Sequence, residues 1–527
     1  MAEILLINPY YSQKKEYYSF IKPSVPMGLM YLAAYLRKFG LKSRIIELGI
    51  FNRQEAIVAN DRVRFGLSNQ KILSILKKEK PKIVGITSMY SVFYRDVIEI
   101  AATIKKFDSR IKVVVGGNHP SSYYQYILKD KDIDFAVIGE GEQTFLELCQ
   151  AILRKRKNFR RISGIALRKN GKVVRNKLRE LITDLDEIPF PARDLIDFDN
   201  YLIKPEDSPY PLRYPSTNMI TSRGCPGKCL YCTVRAVWGR TWRGRSPENV
   251  LAEIELLKNE YGVKDIAIMD DSASVNKKRW QKICEEIARR KIDIKWTVPN
   301  GISHWFLDKP MVKKMWRAGC YRITFGIESG NPLIRRFLGK PYPLKQAKEL
   351  IRYANQLGMW TICTFIIGSP NERLAEIRDT IEFAKKSGTD FSFFYHMMPM
   401  PTAEIYDYFK KENLVNFDYF FENPSVDWED FNQINYALNE TGVDNKYFKK
   451  EELQKIKKKA WQEFLIYRVL TYFAQPQRVL RKIKSWEDFF YILRIIRAYS
   501  AIIWRTFNPI NLKTYEYLFD KDKGTVR

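Results

Sequence analysis

The sequence predicts an α/β fold in which a doubly wound parallel sheet is followed by a strand–helix barrel, complete or partial, and then by a helical C-terminal region. Strand-length apolar segments alternate with helix-length segments over residues 1–155 and again from residue 216, which is typical of parallel sheets. At 527 residues the chain is too long for one hydrophobic core. Beyond residue 420 the alternation stops and long helical patterns follow.

The composition is that of an ordinary globular protein with a large basic excess. Hydrophobic residues make up 45% of the chain, and 89 basic against 60 acidic side chains leave a net charge of +29. Such an excess favours a polyanion or an anionic membrane surface. No apolar run approaches the roughly 18 residues of a transmembrane helix, and the first residues do not read as an export signal. The seven cysteines form no disulfide framework, so we expect a cytoplasmic, reducing environment.

The first alternating region has two glycine-rich segments at the predicted strand ends. Its strands are predicted at 3–8, 43–48, 82–87, 112–116 and 134–138, with helices near 26–39, 69–79, 93–107 and 142–154. Ligands of such sheets bind beyond the carboxyl ends of the strands. The sequence there reads Gly116-Gly117-Asn118-His119-Pro120 and Gly139-Glu140-Gly141-Glu142. Glycine lets the backbone approach a ligand closely, although turn formation alone would also explain these residues.

A hairpin and a linker are predicted to join the two alternating regions. Asn170-Gly171 is a hairpin turn within 163–176. Pro189 and Pro191 block regular structure, so 184–195 is predicted to be a linker. We therefore expect four segments, with the sheet at 1–160, the hairpin and linker at 161–215, the barrel at 216–420 and a helical, basic and aromatic domain at 421–527.

Six strand–helix repeats predict the barrel. Its strands are expected at 217–221, 265–269, 294–298, 322–327, 361–367 and 391–395, and its helices near 247–261, 277–290, 309–318, 343–357 and 373–387. Barrel active sites lie at the carboxyl ends of the strands. Polar residues and one glycine follow several of these ends: Asp270, Asp271, Glu328, Ser329, Gly368 and His396. Any one carboxylate could be a helix cap or a surface residue, but the shared position favours a common site.

Three cysteines follow the first barrel strand in a CxxxCxxC pattern, at Cys225, Cys229 and Cys232. Thiolate is a soft ligand suited to iron–sulfur clusters or zinc. A closed structural zinc site needs four protein ligands, but the next Cys and His residues, Cys284 and His304, lie more than 50 residues downstream. Three ligands on one loop therefore favour an iron–sulfur cluster with one open iron over zinc.

These motifs together resemble the cobalamin-dependent radical S-adenosylmethionine enzymes, in particular the branch of the anaerobic Mg-protoporphyrin monomethyl ester cyclase and the hopanoid methylases. Residues 1–155 resemble the Rossmann-like cobalamin-binding domain of that family. The barrel part of the resemblance is carried by Tyr231 before the last cysteine, Arg245-Ser246-Pro247-Glu248-Asn249-Val250, Asp270-Asp271 with Asn276, Phe325-Gly326-Ile327-Glu328-Ser329-Gly330, and Phe365-Ile366-Ile367-Gly368-Ser369-Pro370.

The resemblance implies three cofactors: a 4Fe–4S cluster on the three cysteines, S-adenosylmethionine on the open iron, and cobalamin. It also implies that one electron, from a donor such as flavodoxin or ferredoxin, cleaves S-adenosylmethionine to a 5′-deoxyadenosyl radical that attacks an unactivated carbon. The residues implied beside S-adenosylmethionine are Tyr231, Asp270, Asp271, Glu328 and Gly368. Those implied beside cobalamin are Gly116, Gly117, His119, Gly139, Glu140 and Gly141. His119 is expected in a loop and not on cobalt, because the DxHxxG motif is missing.

The remaining cysteines and His304 are expected to be structural. We expect Cys149, Cys284 and Cys320 on helices as small apolar residues and Cys363 in the core of a barrel strand. No cysteines then remain for a second cluster, so we expect one. His304 is expected in a loop or at the surface. His396 is a candidate for contact with the substrate.

The C-terminal helices are predicted at 450–474 and 477–507, and between 451 and 507 there are 12 Lys and Arg against 5 Asp and Glu. Their aromatic residues suit either a membrane surface or packing against the barrel. No nucleic-acid module is recognisable. The predicted reaction is methyl transfer to a hydrophobic substrate such as a lipid, terpenoid or tetrapyrrole. Radical cyclisation or oxidation is the nearest alternative, and a non-catalytic cobalamin or iron–sulfur sensor is an alternative of another class.

Overall fold

The computed structural model describes residues 2–14, 24–49, 55–59, 62–415 and 442–507. The chain forms two compact units. Among the described residues, the first unit comprises those up to Tyr201 together with Ala236–Gly239, and the second comprises Leu202–Arg235, 240–415 and 442–507.

The first unit is built on a seven-stranded sheet. The strands of this unit are β1 (Ile4–Asn8), β2 (Tyr11–Lys14), β3 (Ser43–Glu47), β4 (Glu55–Ala59), β5 (Arg62–Phe65), β6 (Ile83–Thr87), β7 (Lys112–Gly116), β8 (Phe135–Val137), β9 (Ile165–Lys169) and β10 (Lys172–Arg175). The sheet order is β10-β9-β8-β7-β6-β1-β3, and the strands from β8 to β3 are parallel. The five predicted strands of this region are therefore confirmed.

Helices cover both faces of this sheet. They are α1 (Met27–Lys38), α2 (Asn69–Glu79), α3 (Tyr94–Phe107), α4 (Asn118–Ile127) and α5 (Glu142–Leu153). Leu5 and Ile7 share a buried core with residues of α2, α3 and α4. Leu6 points the other way, so that it and Phe145 of α5 lie together against Gly85. Successive strand residues face opposite sides, as a sheet buried on both faces requires.

Two parts of the first unit differ from the prediction. The hairpin turns at Asn170 and Gly171 as expected, both with positive φ, but β9 also pairs antiparallel with β8 and so extends the main sheet. A small antiparallel sheet of order β2-β5-β4 was not predicted. Its short strands lack the continuous apolar run that identifies the parallel strands.

The second unit contains a six-stranded parallel sheet of order β11-β14-β15-β16-β17-β18. Its strands are β11 (Ser216–Met219), β12 (Ser222–Arg223), β13 (Arg243–Gly244), β14 (Asp265–Ile268), β15 (Lys295–Ile302), β16 (Cys320–Glu328), β17 (Trp360–Ile367) and β18 (Phe391–His396). The strands β12 and β13 form a separate ladder. Within the described residues β11 and β18 are the two edges of the sheet, so the barrel is partial there.

Helices alternate with these strands. In chain order they begin after α6 (Arg235–Trp238), a short helix that belongs to the first unit except for Arg235. They are α7 (Pro247–Tyr261), α8 (Lys277–Arg289), α9 (Lys309–Arg317), α10 (Pro332–Phe337), α11 (Leu344–Gln356), α12 (Leu374–Ser387) and α13 (Ile405–Lys411). Local signals explain the bounds of α7. The Ser246 hydroxyl accepts a hydrogen bond from the Asn249 amide at 3.1 Å, Pro247 occupies the first turn, and Gly262 ends the helix with φ of 63°.

Three C-terminal helices belong to the second unit: α14 (Lys450–Ala474), α15 (Gln477–Leu480) and α16 (Trp486–Phe507). The prediction of one continuous helix over 477–507 is wrong, because the chain breaks between α15 and α16. Ser485 caps α16, with its Oγ accepting from the Asp488 amide at 3.3 Å. Tyr491 of α16 is fully buried in a core with Tyr321 and Trp360. In the described ranges, no helix is both long enough and apolar enough to cross a membrane.

Candidate active site

Two carboxylates that follow β14, those of Asp270 and Asp271, hold the start of the cysteine loop. Oδ1 of Asp270 accepts from the Thr221 amide at 2.6 Å, and Oδ2 accepts from the Thr221 and Ser222 hydroxyls, each at 2.6 Å. Oδ2 of Asp271 accepts from the Gly224 amide at 3.1 Å. Burial, and then the charge of Asp270, raise the pKa of Asp271 to about 6. Asp270 therefore positions the start of the loop, while Asp271 lies beside the loop with a weakened acidity.

A second segment holds the loop from the other side. The Leu230 amide donates to the Leu338 carbonyl at 3.1 Å. Gly339 has φ of 80°, and a Cβ there would lie 2.2 Å from the Lys228 carbonyl oxygen. Only glycine allows this approach, because real Cβ atoms do not come so close to backbone oxygen. The cysteine loop is thus fixed at both its start and its middle.

The three thiols form a donor set that suits an iron–sulfur cluster. The Gly227 amide donates to Cys225 Sγ at 3.4 Å, and a Cβ at Gly227 would lie 3.3 and 3.7 Å from the sulfurs of Cys225 and Cys229. Burial raises the pKa of all three thiols, that of Cys232 to about 11, and their charges oppose one another. Bound metal reverses this situation, because a coordinating thiol is deprotonated. The residues therefore fit the group that the spacing predicts.

The thiols do not converge on one point. In the part of the chain that the structure describes, no three His, Cys, Asp or Glu side chains are grouped closely enough to hold a single metal ion. A cluster distributes its thiolate ligands over separate irons, so its ligands need not meet at a single centre.

Lys340 is a charged neighbour of the loop that sequence reasoning missed. Its ammonium pairs with Glu328 and donates to the Gly326 carbonyl at 3.1 Å, and it lies 5.9 Å from the centre of the Tyr231 ring. Burial works to lower the pKa of Lys340, but Glu328 and the thiol of Cys229 outweigh it and the pKa is raised. A fixed positive charge thus stands beside the thiols. In the sequence, only the position of Lys340 directly after Gly339 could have indicated that it lies here.

Glu328 and Gly368 end neighbouring strands in unusual backbone conformations. Glu328 has φ of 69°, which is rare for a residue with a side chain and is concentrated at functional sites. Gly368 has φ of 98°. Oε2 of Glu372 accepts from the amides of Gly368 and Ser369 at 2.7 and 3.1 Å. Burial raises the pKa of Glu372 to about 7.

Buried polar atoms without partners collect at the carboxyl ends of the barrel strands. Within the described residues, no hydrogen-bond partner is found for Oγ of Ser274, both ring nitrogens of His304, Oγ of Ser369 and both ring nitrogens of His396. These residues follow or end β14, β15, β17 and β18. Buried polar groups are normally paired, so a row of unpaired ones along one rim fits a polar ligand. S-adenosylmethionine has amino, carboxylate, hydroxyl and adenine groups of the required kind.

In the first unit, Gly117 and Ser88 lie in contact at the carboxyl ends of β7 and β6. Gly117 has φ of 118°, and a Cβ there would lie 2.6 Å from the Ser88 carbonyl oxygen. The Ser88 hydroxyl is buried and has no partner within the described residues. Gly116 is the last residue of β7. The close contact of Gly117 with Ser88, whose hydroxyl is unpaired, fits a ligand that binds over this edge of the sheet. Cobalamin is expected to bind there.

The second glycine segment lies at the end of the neighbouring strand β8. Gly139 has φ of 75°, and its amide donates to the Ser121 hydroxyl at 3.0 Å. Glu140 is buried and accepts from the Ile182 amide at 2.8 Å. Gly141 precedes α5 and packs against Leu32. Because β7 and β8 pair directly, both glycine segments border the same edge of the sheet.

Comparison with known proteins gives the family. Residues 22–149 match the model of the B12 binding domain, and residues 219–384 match that of the radical SAM superfamily. The uncharacterised methyltransferase PH0819 of Pyrococcus horikoshii is 31% identical over 481 residues, which are 91% of this chain and 94% of that protein. The chain belongs to the cobalamin-binding radical S-adenosylmethionine enzymes. The resemblance predicted from the motifs is confirmed, and so are its three cofactors: a 4Fe–4S cluster, S-adenosylmethionine and cobalamin.

Two further proteins agree with this radical S-adenosylmethionine family. The cytidylyl-2-hydroxyethylphosphonate methyltransferase of Streptomyces wedmorensis is 29% identical over 76% of this chain and 80% of that protein. The radical S-adenosylmethionine methyltransferase TsrM from Kitasatospora setae, solved with cobalamin and a 4Fe–4S cluster bound, has a TM-score of 0.62 over 78% of this chain and 75% of that chain. At 19% identity, that structure shows a shared fold.

Three predictions about individual residues of this radical S-adenosylmethionine enzyme are wrong. His119 lies in the first turn of α4 and not in a loop, buried between Tyr94 and Tyr123, with ring centres at 4.5 and 5.0 Å. His304 is neither in an open loop nor at the surface, since it is 3% exposed in a short 3-10 turn. Cys320 begins strand β16 instead of lying on a helix.

The other structural cysteines lie where they were expected. Cys149 and Cys284 are buried on α5 and α8, and Cys363 is buried in β17.

His119 keeps a neutral ring, because burial lowers its pKa to about 3, and its Nδ1 lies 2.8 Å from the Ser91 hydroxyl.

Proposed function

We propose that this enzyme transfers a methyl group to an unactivated carbon of a hydrophobic substrate, such as a lipid, terpenoid or tetrapyrrole. The observation that carries the reaction type is the similarity to PH0819, a named methyltransferase aligned over 91% of this chain. When bound, the cluster with S-adenosylmethionine supplies radical chemistry and cobalamin supplies a methyl carrier. The protein's own contribution is to position these groups and to exclude water from them.

In this proposal, the residues of the cysteine loop divide the work. Cys225, Cys229 and Cys232 hold the cluster, and Lys340 stabilises its negative charge. Asp270 keeps the start of the loop in place through Thr221 and Ser222.

In the same proposal, the carboxyl ends of the strands in each unit bind one of the two organic cofactors. Tyr231, Asp271, Glu328 and Gly368 contact S-adenosylmethionine, and Asp270 lies behind them. At the edge of the first unit, cobalamin is bordered by Gly116, Gly117, His119, Gly139, Glu140 and Gly141. The close approach of Gly117 to Ser88 supports the second set, because the buried hydroxyl of Ser88 beside it has no partner within the described residues.

The hydrophobic substrate class is supported by the surface of α14 to α16, which we propose lies against an anionic membrane. Phe473 and Trp486 are 81% and 77% exposed, although both are large apolar side chains. Others on these helices are exposed as well: Ile466, Leu470, Leu480, Phe490, Leu493 and Ile496. Basic residues exceed acidic ones by seven over 451–507, which complements anionic lipid. An electron donor such as flavodoxin or ferredoxin completes the proposed partners.

Isotope labelling tests the reaction. The reconstituted enzyme, loaded with cluster and cobalamin, is incubated with a reductant, S-adenosylmethionine carrying a deuterated methyl group, and a lipid and pigment extract from cells that lack the protein. We expect 5′-deoxyadenosine and one product whose mass includes the labelled methyl group. Formation of 5′-deoxyadenosine without label transfer would identify a cyclase or oxidase, and its absence would favour the sensor alternative.

Vesicle binding tests the membrane proposal. The Phe473→Ser/Trp486→Ser variant should co-sediment less with vesicles of equal parts phosphatidylcholine and phosphatidylglycerol. The matched control is Phe39→Ser/Leu178→Ser, which removes side chains that are 47% and 50% exposed in the first unit. Equal binding of both variants would refute a docking role for the C-terminal helices.

A further inference from the structure

A cavity of about 400 Å³ opens in the second unit between the barrel helices and the C-terminal helices. Its walls are the ends of α11 and α12 and the facing parts of α14 and α15. The α11 and α12 helices end just before strands β17 and β18 begin, so the cavity lies near the amino ends of these strands. It is therefore on the opposite side of the barrel from the cysteine loop, which follows a strand's carboxyl end.

The cavity is lined by positive charge. Six lining residues are cationic: Arg352, Lys385, Lys386, Arg468, Arg478 and Arg481. The other described lining residues are neutral, and none is a carboxylate. Glu382 binds Lys385 at 2.6 Å and Lys386 at 2.9 Å and so serves two ammonium groups at once. Like charges repel at short range, and a group of six persists more easily if an anion joins it.

Within the described residues, no carboxylate forms an ion pair with the four guanidinium groups, but the charge of Asp390 acts on Arg468. Arg478 donates to the Gly388 carbonyl at 2.6 Å, and Arg468 donates to the Lys385 carbonyl at 3.1 Å. Each guanidinium has five donors, so most remain available. Arg468 is 3% exposed, and its Nε lies buried without a partner. Burial, with a smaller contribution from Arg478, lowers the pKa of Arg468, although Tyr472 and the carboxylate of Asp390 act in the opposite direction.

Helix capping explains only part of this charge. Three helices, α11, α12 and α14, end at the cavity, and cations stabilise helix carboxyl ends. Each end carries about half a negative charge, so the three together offset about 1.5 of six positive charges. Glu382 offsets one more, so about 3.5 positive charges of the lining are not balanced by these groups.

We propose that this cavity binds a phosphate-bearing anion, held by bidentate guanidinium contacts from Arg352, Arg478 and Arg481. Arginine is the side chain best shaped for phosphate, because its planar fork matches two phosphate oxygens. The neighbouring exposed apolar residues Leu470, Phe473 and Leu480 suit a phosphate attached to an acyl chain, but the same contacts serve a free phosphate ester. The site is separate from the methyl-transfer machinery and does not depend on which carbon is methylated.

Binding measurements on the full chain, loaded with its cofactors, test the site. One arm titrates inorganic pyrophosphate by calorimetry, and the other measures co-sedimentation with vesicles of equal parts phosphatidylcholine and phosphatidylglycerol. The test variant is Arg352→Gln/Arg481→Gln, which changes two exposed residues, and circular dichroism checks its fold. The control Lys264→Gln/Lys278→Gln removes the same charge from exposed positions elsewhere in the second unit.

We expect the test variant to bind at least about tenfold more weakly than the control. A loss in the pyrophosphate arm identifies a free phosphate compound as the source. A loss confined to vesicles identifies a lipid headgroup. If the two variants bind alike in both arms, the proposal is overturned. That outcome would leave the membrane proposal intact, because that proposal is tested with Phe473 and Trp486.

Discussion

Nζ of Lys482 lies 2.9 Å from Oδ2 of Asp390, and neither side chain has any exposed surface. The same ammonium donates to Oδ1 of Asn355 at 2.8 Å and to the Met359 carbonyl at 2.6 Å, so all three of its donors are used. Lys482 follows α15, and Asp390 immediately precedes β18. The pair therefore ties the C-terminal helices to the barrel sheet within the second unit.

Removing this ammonium should destabilise the second unit strongly. Lys482→Met leaves the Asp390 carboxylate buried without its ion-pair partner, which costs about 3–5 kcal/mol. The matched control is Lys484→Met, because Lys484 lies two residues away and its ammonium contacts the Leu357 carbonyl at 2.6 Å and the Trp316 ring at 4.3 Å, neither of which carries a charge. Thermal unfolding followed by circular dichroism should show a much lower midpoint for Lys482→Met. Equal midpoints for the two variants would mean that the buried pair contributes little.

Glu372 should make stability depend on pH in a defined window. Burial, with a smaller effect of Glu376, raises its pKa from 4.5 to about 7. The folded state therefore holds a proton that the unfolded state releases between pH 4.5 and about 7. Stability from this group is full below the unfolded pKa and is lost as the pH rises through the folded pKa, by up to about 3 kcal/mol.

The variant Glu372→Gln isolates that effect, because its amide oxygen can still accept from the amides of Gly368 and Ser369. Thermal midpoints measured from pH 5 to pH 8 should fall more steeply in the parent than in the variant, and the two curves should run parallel above pH 8. Identical curves over the whole range would show that Glu372 is already ionised at pH 5.

Local signals account for the elements that the sequence predicts well. Ser246, Pro247 and Gly262 define both ends of α7 without help from the rest of the chain. The parallel strands are long apolar runs, so their order and spacing also predict the doubly wound and barrel architectures. The cysteine spacing predicts the metal chemistry for the same reason, since all three proposed ligands lie on one loop.

Non-local contacts account for what was missed. The strand that corresponds to β15 was predicted at 294–298, but it continues to Ile302, which pairs with Phe325 of β16. That extension places His304 at the buried rim. Lys340 is equally invisible in the sequence, because its role depends on the contact of Gly339 with the cysteine loop. Tertiary pairing overrides local propensity in both cases.

The ligand assignment predicts different behaviour for two cysteines. Cys229→Ala should lose the cluster absorbance and the formation of 5′-deoxyadenosine, because a cluster ligand is removed. Cys284→Ala serves as the control, since this cysteine is buried on α8 away from the loop. It should keep both signals and lose only stability, from the small cavity that it creates. Full activity of Cys229→Ala would rule out its role as a ligand.

The contact between Gly339 and the cysteine loop predicts an effect on the cluster from a residue that is not a ligand. Gly339→Ala introduces a Cβ that would lie 2.2 Å from the Lys228 carbonyl, so the loop must shift. Gly262→Ala is the matched control, because its φ of 63° is also positive but nothing lies within 4 Å of the added Cβ. Both variants share the strain of a left-handed alanine, about 1 kcal/mol. Iron content per chain after reconstitution should therefore fall in Gly339→Ala and stay at the parent level in Gly262→Ala. Equal iron content in the two variants would mean that the loop tolerates displacement and that residues 338–340 do not position it.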